Sequence, residues 1–213
     1  MKVSTFAVGE FQENCYLVED EEAGAAVLID PGSEPERIIA AVEQSGARLD
    51  AIWLTHAHVD HVGAIAGIKR KWNVPAFLHP ADLPLYRAAE RQAQMYGLSY
   101  EQPPLPEREL ADGDTVSVGA HEFRIMHAPG HSPGHVVLHG HGVAFVGDCL
   151  FAGSIGRTDL PASNGADLEE SLERIASLSP DTVVYPGHGP ATTIAEERAT
   201  NPFLTGAARI LKG

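Results

Sequence analysis

The chain has 213 residues, of which 44% are hydrophobic and 21% charged, with 21 glycines and 15 prolines. This is an ordinary globular composition with many turns, and the length suits one domain, expected over 1–213. A formal net charge of -14 repels phosphate backbones and anionic headgroups, which argues against nucleic-acid and membrane partners.

The first quarter of the chain mixes strand-like and helix-like segments. Apolar and β-branched runs predict strands over residues 2–8, 15–18, 25–29 and 49–55. A helix is predicted before the last of them, with Ser33 as its N-cap and its end near Gly46. The order of strand, helix and strand indicates a βαβ unit.

The middle of the chain continues this alternation. An apolar stripe predicts a helix over 62–72, a short strand follows at 76–79, and a second helix covers about 85–96. The basic cluster at residues 69–71 sits at the end of the first helix, where cations suit the helix dipole, and we interpret it as structural. The proline-rich stretch 103–106 is a loop.

The second half is predicted to be richer in hairpins. Short glycine-containing connections pair residues 115–118 with 121–126 and residues 136–139 with 143–147. A helix over 167–178, a strand over 182–185 and a helical end from about Ile194 follow. Hairpins and crossover helices together predict sheets covered by helices, a layered α/β arrangement.

A histidine-rich segment follows the strand predicted at 49–55. His56, His58, Asp60 and His61 place three imidazoles and one carboxylate within six residues, where a helix begins. Neutral imidazole nitrogen and carboxylate oxygen bind borderline divalent metals, and metal binding would satisfy groups that are costly to bury. A solvated loop, or histidines that cap the helix, is the alternative for any single residue of the set.

Three more residues of metal-binding type follow apolar strands. His131 and His188 each follow a Pro-Gly pair, and Asp148 follows Val146-Gly147. Ligand-type residues at the ends of four separate strands are expected to converge on one sheet edge. The sequence therefore predicts a site that binds one or two metal ions and catalyses hydrolysis of a substrate by water.

The remaining histidines and the cysteines lack this spacing context. Structural or surface roles are expected for His79, His121, His127, His139 and His141. His135 stays open, because it could point toward the site or begin the next strand. Cys15 and Cys149 lie in strand-like apolar runs and are expected to be reduced core thiols.

The His-x-His-x-Asp-His signature, followed by Gly-His, Gly-Asp and Gly-His elements, resembles the metallo-β-lactamase superfamily. The resemblance implies an αββα sandwich, with two mixed sheets flanked by helices. It also implies that one metal is held by His56, His58 and His131, a second by Asp60, His61 and His188, and that Asp148 bridges the two. Asp30, in the Ile-Asp-Pro-Gly turn, would support the site from behind the ligands.

More narrowly, residues 14–18, 153–159 and 201–204 resemble the short bacterial glyoxalase II-like hydrolases. This implies attack of a metal-bridging hydroxide on a thioester such as S-lactoylglutathione, with Asp60 and Asp148 as catalytic residues. Arg157 would grip a substrate carboxylate, or would instead form a salt bridge with Asp159. Two zinc ions are the expected cofactor, with iron and manganese as alternatives.

The stretch 156–159 also resembles the persulfide dioxygenases, relatives that use a single iron. The positions that match His56, His131 and Asp148 would bind it, so that an iron oxidoreductase is the rival function. The segment that begins at Met1 lacks the apolar region and cleavage site of a signal peptide, and a cytoplasmic location is expected. The oligomeric state is left open by the sequence.

Overall fold

The computed structural model describes residues 1–210, so the last three residues of the domain expected over 1–213 lie outside the described part. The strands are β1 (Lys2–Val8), β2 (Glu13–Asp20), β3 (Ala25–Ile29), β4 (Arg48–Trp53), β5 (Ala76–Leu78), β6 (Arg108–Glu109), β7 (Thr115–Val118), β8 (His121–His127), β9 (Val136–Gly140), β10 (Val143–Gly147), β11 (Leu150–Phe151), β12 (Ser154–Ile155), β13 (Val183–Pro186) and β14 (Thr192–Thr193). The helices are α1 (Pro35–Ser45), α2 (Val59–Val62), α3 (Ile65–Lys71), α4 (Leu83–Tyr96), α5 (Gly165–Ala176) and α6 (Ile194–Thr200).

Two six-stranded sheets, both of mixed direction, form the centre of the molecule. The first has the order β1-β2-β3-β4-β5-β6, antiparallel up to β3 and parallel from β3 onward. The second has the order β14-β13-β10-β9-β8-β7, in which only β10 and β13 run parallel. Strands β11 and β12 form a separate hairpin. The predicted pairing of 115–118 with 121–126 and of 136–139 with 143–147 is confirmed.

Alternating side chains divide the core into three apolar layers. In β3, Val27 and Ile29 face the second sheet, whereas Leu28 lies under the helices that cover the first sheet. In β10, Phe145 faces the first sheet and Val146 packs under α5 and α6. Helices, sheet, sheet and helices therefore follow one another, which confirms the predicted αββα sandwich.

Helix α1 begins differently from the prediction. The N-cap is Glu34, in the left-handed region with φ 54°, and it forms no side-chain cap hydrogen bond, so the assignment of the cap to Ser33 is wrong. Pro35 starts the helix because its fixed φ suits the first helical position. The helix ends as expected at Gly46, whose φ of 71° suits a residue without a side chain.

The start of the helix predicted over 62–72 is also wrong, because α2 ends at Val62 and α3 begins only at Ile65. The Ala64 amide donates to the carbonyl of Pro31 (3.0 Å) rather than to the preceding helical turn. Gly63 packs against the Gly32 backbone at this break, since a Cβ there would lie 2.4 Å from the Gly32 carbonyl oxygen. A tertiary contact with the β3–α1 loop thus overrides the helical pattern.

Other boundaries differ by a few residues. Helix α5 begins two residues before the predicted start because Asn164 accepts hydrogen bonds from the amides of Ala166 and Asp167. Four two-residue strands, β6, β11, β12 and β14, were not predicted, since such short segments have no periodicity to detect. No helix in the described part of the chain is long and apolar enough to cross a bilayer.

The basic cluster at the end of α3 has partners on the protein itself. Lys69 pairs with Glu107, and the two neighbouring cations pair with Glu101 and Glu43. These contacts favour the structural interpretation of the cluster. Cys15 and Cys149 are both buried and free, as predicted, and burial raises the pKa of each thiol well above its usual range.

We predict that Leu138→Ala, which empties a fully buried position between the sheets, lowers the free energy of unfolding by about 2–5 kcal/mol. The control is Leu105→Ala, because Leu105 is 49% exposed and its truncation should change that free energy by less than about 0.5 kcal/mol. Urea unfolding followed by circular dichroism measures both. Equal effects of the two substitutions would contradict the placement of Leu138 between the sheets.

Candidate metal centre

Four loops meet at one edge of the sandwich. The loop after β4 runs into α2 with the histidine-rich segment, and the loops after β8, β10 and β13 provide His131, Asp148 and His188. Asp60 and His61 lie within α2. The structure brings together all seven residues predicted as ligands, as the positions at strand ends indicated.

Three of these imidazoles form a buried group. One ring nitrogen from each of His56, His58 and His131 lies within 4.8 Å of the others. Nδ1 of His58 is 2.9 Å from Nε2 of His131. This group could hold one metal ion through three nitrogen ligands.

A second group lies beside the first. It joins Asp60, His61 and His188, whose ligand atoms again lie within 4.8 Å of one another. Oδ2 of Asp60 is 3.3 Å from Nε2 of His188 and 3.9 Å from Nε2 of His61. Two nitrogens and one carboxylate oxygen could hold a second ion.

Asp148 stands between the two groups. Its Oδ2 is 3.5 Å from Nε2 of His131 and 3.6 Å from Nε2 of His188, and its Oδ1 is 3.5 Å from Nε2 of His61. The carboxylate therefore faces members of both groups at once. This is the position that a bridging ligand requires.

The second ring nitrogen of four of these histidines contacts a hydrogen-bond acceptor. The pairs are His56 with Thr55 Oγ1 (3.1 Å), His61 with Asp30 Oδ2 (3.1 Å), His131 with the Arg157 carbonyl (3.0 Å) and His188 with the Phe11 carbonyl (3.1 Å). Each acceptor favours a proton on Nδ1 and leaves Nε2 as a lone-pair donor. Thr55 can accept because its own hydroxyl donates to Asp30. The surroundings thus aim Nε2 of each of these rings at the centre.

Several buried polar atoms at the centre have no hydrogen-bond partner in the described chain. They are Nε2 of His56, Nε2 of His61 and Oδ1 of Asp148. A buried polar atom without a partner costs about 1–3 kcal/mol. Divalent cations bound in the two groups would satisfy all three atoms, and the mixture of imidazole and carboxylate suits zinc or iron. The residues present therefore fit a metal centre.

Electrostatics differ between the two groups. Burial lowers the pKa of His56 well below its usual range and lowers that of His58 to about 4, so these imidazoles are neutral at pH 7. Burial acts in the same direction on His61, but the carboxylates of Asp148 and Asp60 more than offset it, and the pKa of His61 is raised. The first group is thus ready to donate lone pairs, and the second surrounds its imidazoles with negative charge.

Asp30 lies behind the centre, as the sequence resemblance implied. Its carboxylate accepts hydrogen bonds from the amide (2.7 Å) and hydroxyl (2.5 Å) of Thr55 and contacts Nδ1 of His61. Asp30 has a backbone φ of 48°, a strained conformation that residues other than glycine rarely adopt. It also lies within ligand distance of His56 and His61, but its engaged oxygens make it an orienting group rather than a ligand.

Asp82 connects two of the ligand-bearing loops, a role for which the sequence contains no recognisable signal. The carboxylate is fully buried and accepts hydrogen bonds from the Ala57 amide (3.0 Å), the Ser132 hydroxyl (2.7 Å) and the Gly134 amide (2.5 Å). The segment that carries His56 and His58 is thereby tied to the segment that carries His131. An aspartate before a helix looks like an ordinary cap, which is why this connection could not be recognised.

His135, left open by the sequence, lies behind the first group. Its ring stacks on that of His56 with centroids 4.9 Å apart, and its Nε2 accepts a hydrogen bond from the Asp148 amide (3.0 Å). Burial lowers its pKa well below the usual range. His135 therefore positions a ligand ring and a ligand backbone without joining either group.

The N-terminal motif at residues 14–18 holds the last ligand loop. The Asn14 side chain donates to the carbonyls of Pro186 (3.0 Å) and Gly189 (2.8 Å), and the Tyr16 hydroxyl donates to that of Pro186 (2.5 Å). Glu13, missed by sequence reasoning, is fully buried beside them. Its Oε1 lies 3.7 Å from Nδ1 of His61, which is too long for a hydrogen bond, and burial raises its pKa.

The five histidines expected to be structural lie outside both groups. The rings of His79 and His127 stack on each other, and those of His121 and His141 meet edge to face. No potential metal-binding group in residues 1–210 includes any of the five, His139 among them.

A cavity of about 410 Å³ opens onto the centre. It is bordered by members of both groups and by Arg157. The Arg157 guanidinium forms a bidentate ion pair with Asp159, at 2.8 and 3.0 Å, on the exposed rim. Of the two alternatives for Arg157, the structure thus contains the salt bridge, and the cavity leaves the guanidinium within reach of a bound molecule.

Comparison with known proteins shows extensive similarity. The family model described as the metallo-beta-lactamase superfamily matches residues 8–188. A Haemophilus influenzae protein named hydroxyacylglutathione hydrolase GloC is 39% identical over 209 residues, covering 96% of this chain and 98% of that protein.

Two solved structures are also similar to this chain over nearly its whole length. TTHA1623, in a di-iron-bound form, is 48% identical with a TM-score of 0.88, covering 95% of this chain and 100% of its own. The BLEG-1 B3 metallo-beta-lactamase is 34% identical with a TM-score of 0.90, covering 96% of this chain and 100% of its own.

We predict that Gly187→Ala weakens binding of divalent metal. A Cβ at this position would lie 2.1 Å from Oδ1 of Asp148 and 2.8 Å from Cε1 of His61, so both residues must move. The loss should be about tenfold or more in affinity, measured by competition with a chromogenic chelator.

The control is Gly189→Asn in the same loop. Gly189 has φ 77° with open space around its Cα, and asparagine tolerates that conformation. If Gly187→Ala binds metal as tightly as Gly189→Asn does, then Asp148 and His61 do not form the site.

Proposed function

The chain belongs to the metallo-beta-lactamase superfamily of metal-dependent hydrolases, and on that premise we propose that it hydrolyses a thioester such as S-lactoylglutathione. The observation that carries the proposal is the group of buried polar atoms without partners, on His56, His61 and Asp148, behind an open cavity that Asp148 itself borders. Such a site binds metal and admits an organic substrate at the same place.

We assign one ion to His56, His58 and His131 and a second to Asp60, His61 and His188, with Asp148 shared. Zinc is the expected metal, with iron and manganese as alternatives because the same nitrogen and oxygen ligands accept all three. The relative in a di-iron-bound form supports iron as one of these. When bound, two ions supply hydroxide at neutral pH and polarise the substrate carbonyl.

The chain's own residues complete the chemistry. Asp148 fixes the spacing between the two groups, because its two oxygens face both of them. Asp60 borders the cavity, and its carboxylate can accept a hydrogen bond from the attacking water and so orient it. The departing thiolate, with a pKa of about 8.5, needs no protein acid to protonate it.

Substrate recognition is assigned to the cavity beside the centre. Arg157 is the proposed partner for a substrate carboxylate, in competition with Asp159. The Haemophilus influenzae relative named as a hydroxyacylglutathione hydrolase supports a glutathione thioester as the first substrate to test.

The second candidate function is that of a mononuclear iron persulfide dioxygenase. It would use His56, His131 and Asp148, of which His131 and Asp148 lie 3.5 Å apart. Two imidazoles and one carboxylate with open positions suit non-haem iron. Against it stands the second group, which a mononuclear site does not require and which is fully assembled here.

The experiment compares protein reconstituted with zinc and with iron under anaerobic conditions. We predict two metals per chain and hydrolysis of S-lactoylglutathione that does not depend on oxygen. Hydrolysis is monitored by the loss of the thioester absorbance. One iron per chain, no hydrolysis, and oxygen uptake when glutathione persulfide is added to the same protein in aerated buffer would establish the dioxygenase instead.

His61→Ala should remove the second ion and reduce kcat by at least about tenfold, because it deletes one ligand of that group only. His139→Ala, a half-buried histidine outside both groups, is the matched control and should retain both ions and full activity. Metal content and kcat are measured on the same samples. A His61→Ala protein with two ions and unchanged kcat would refute the assignment.

A further inference from the structure

Exposed apolar side chains are concentrated around one opening. In residues 1–210, the large hydrophobic side chains that are at least 40% exposed are Met1, Phe11, Met95, Tyr96 and Leu105. Three of the five, Phe11, Met95 and Tyr96, border the cavity that opens onto the candidate metal centre. Apolar surface gathered at a cavity mouth marks a binding site more often than scattered exposure does.

A second set of residues that border the same cavity is also apolar. It is formed by Phe151, Leu160 and Pro161, from the segment that follows Asp148. Asn201 fixes the start of this segment by donating to the carbonyls of Phe151 and Ser154. The motif at 201–204 thus contributes to the shape of the cavity. A group that enters the cavity therefore contacts apolar side chains from both sets of residues.

Cationic recognition is weak in this cavity. Arg157 is the one lysine or arginine among its described lining residues, and Asp159 already pairs with it through two hydrogen bonds. Both side chains are more than 60% exposed, so solvent screens their interaction with any substrate carboxylate.

An adjacent cavity of about 420 Å³ has a different character. It shares Phe11, Val59 and Asp60 with the first cavity, and charged side chains, among them Glu10, Glu34, Arg70 and Glu101, border it alongside apolar ones. It reaches none of the histidines of the centre. A group attached to a substrate carbonyl at the centre is therefore placed in the first cavity, which borders the ligand histidines.

We propose that the cavity bordered by Phe11, Tyr96, Phe151 and Leu160 binds an aryl or alkyl group of the substrate. This chain would then select thioesters that carry an apolar substituent. The proposal rests on the proposed thioester hydrolysis and names the class of substrate for it. The apolar group could belong to the acyl part or to the thiol part of the thioester. Phe11 and Tyr96, whose rings meet edge to face at 5.3 Å, would form one face of the binding site.

Binding of thioethers, which cannot be hydrolysed, tests the proposal apart from catalysis. Four probes combine a benzyl or a methyl group on sulfur with either glutathione or N-acetylcysteamine as the thiol. We predict that benzyl probes bind at least about tenfold more tightly than methyl probes on both thiols, measured by isothermal titration calorimetry. Affinity that follows glutathione and ignores the benzyl group would overturn the proposal.

Substitutions on the cavity rim locate the binding site. Met95 is 76% exposed, so Met95→Ser does not disturb the core, and it should weaken the benzyl probes by about threefold or more. Leu105→Ser, at a 49% exposed leucine away from the cavity, is the matched control and should change nothing. The proposal is overturned if Met95→Ser and Leu105→Ser change the affinity for the benzyl probes equally. It is also overturned if only Arg157→Gln weakens their binding.

Two pairs of substrates show which part of the thioester, acyl or thiol, occupies the cavity. Phenylacetyl and acetyl thioesters of the same thiol test the acyl side, and acetyl thioesters of benzyl mercaptan and N-acetylcysteamine test the thiol side. The ratio of kcat/KM within each pair shows which part occupies the cavity, and a ratio near one in both pairs contradicts the proposal. If no thioester is hydrolysed while the benzyl probes still bind, the proposed reaction fails and the apolar binding site stands.

Discussion

The structure depends on one constraint: imidazoles at the ends of buried strands must present an unprotonated nitrogen to the same small volume. A free imidazole can carry its proton on either nitrogen, so the protein fixes the choice with an acceptor on the other side of the ring. His56, His61, His131 and His188 each contact such an acceptor. Those acceptors come from four different segments, and the positions of the segments are therefore linked to the orientation of the ligands.

Much of the surrounding architecture can be understood as support for those segments. Asp82 ties the first histidine loop to the loop of His131, Asn14 ties the start of β2 to the loop of His188, and Asp30 joins Thr55 to His61. Asp30 adopts a strained backbone to do so. Buried carboxylates and amides cost desolvation, and for Asp30, Asp82 and Asn14 this cost is offset by hydrogen bonds to loops that carry ligands. Rigidity at the centre is thus built from interactions made outside it.

Local patterns in the sequence predicted the fold, and they identified the seven side chains of metal-binding type that the structure brings together. Alternation of apolar residues in strands identifies the layers, and His56 to His61 follow a buried strand directly. What the sequence did not predict depends on tertiary contacts. The break at Gly63 arises from a hydrogen bond to the β3–α1 loop, and the roles of Asp82 and Glu13 arise from positions far apart in the chain. No spacing rule could indicate them, since their partners become neighbours only in the folded protein.

The central claim is that the four loops hold two metal ions around Asp148. It is tested most directly by anomalous X-ray diffraction from crystals of the metal-loaded protein, with data collected on both sides of the metal absorption edge. The account predicts two anomalous peaks, one surrounded by His56, His58 and His131 and the other by Asp60, His61 and His188, with Asp148 contacting both. A single peak away from Asp148, or peaks only at surface histidines such as the stacked His79 and His127, would contradict it.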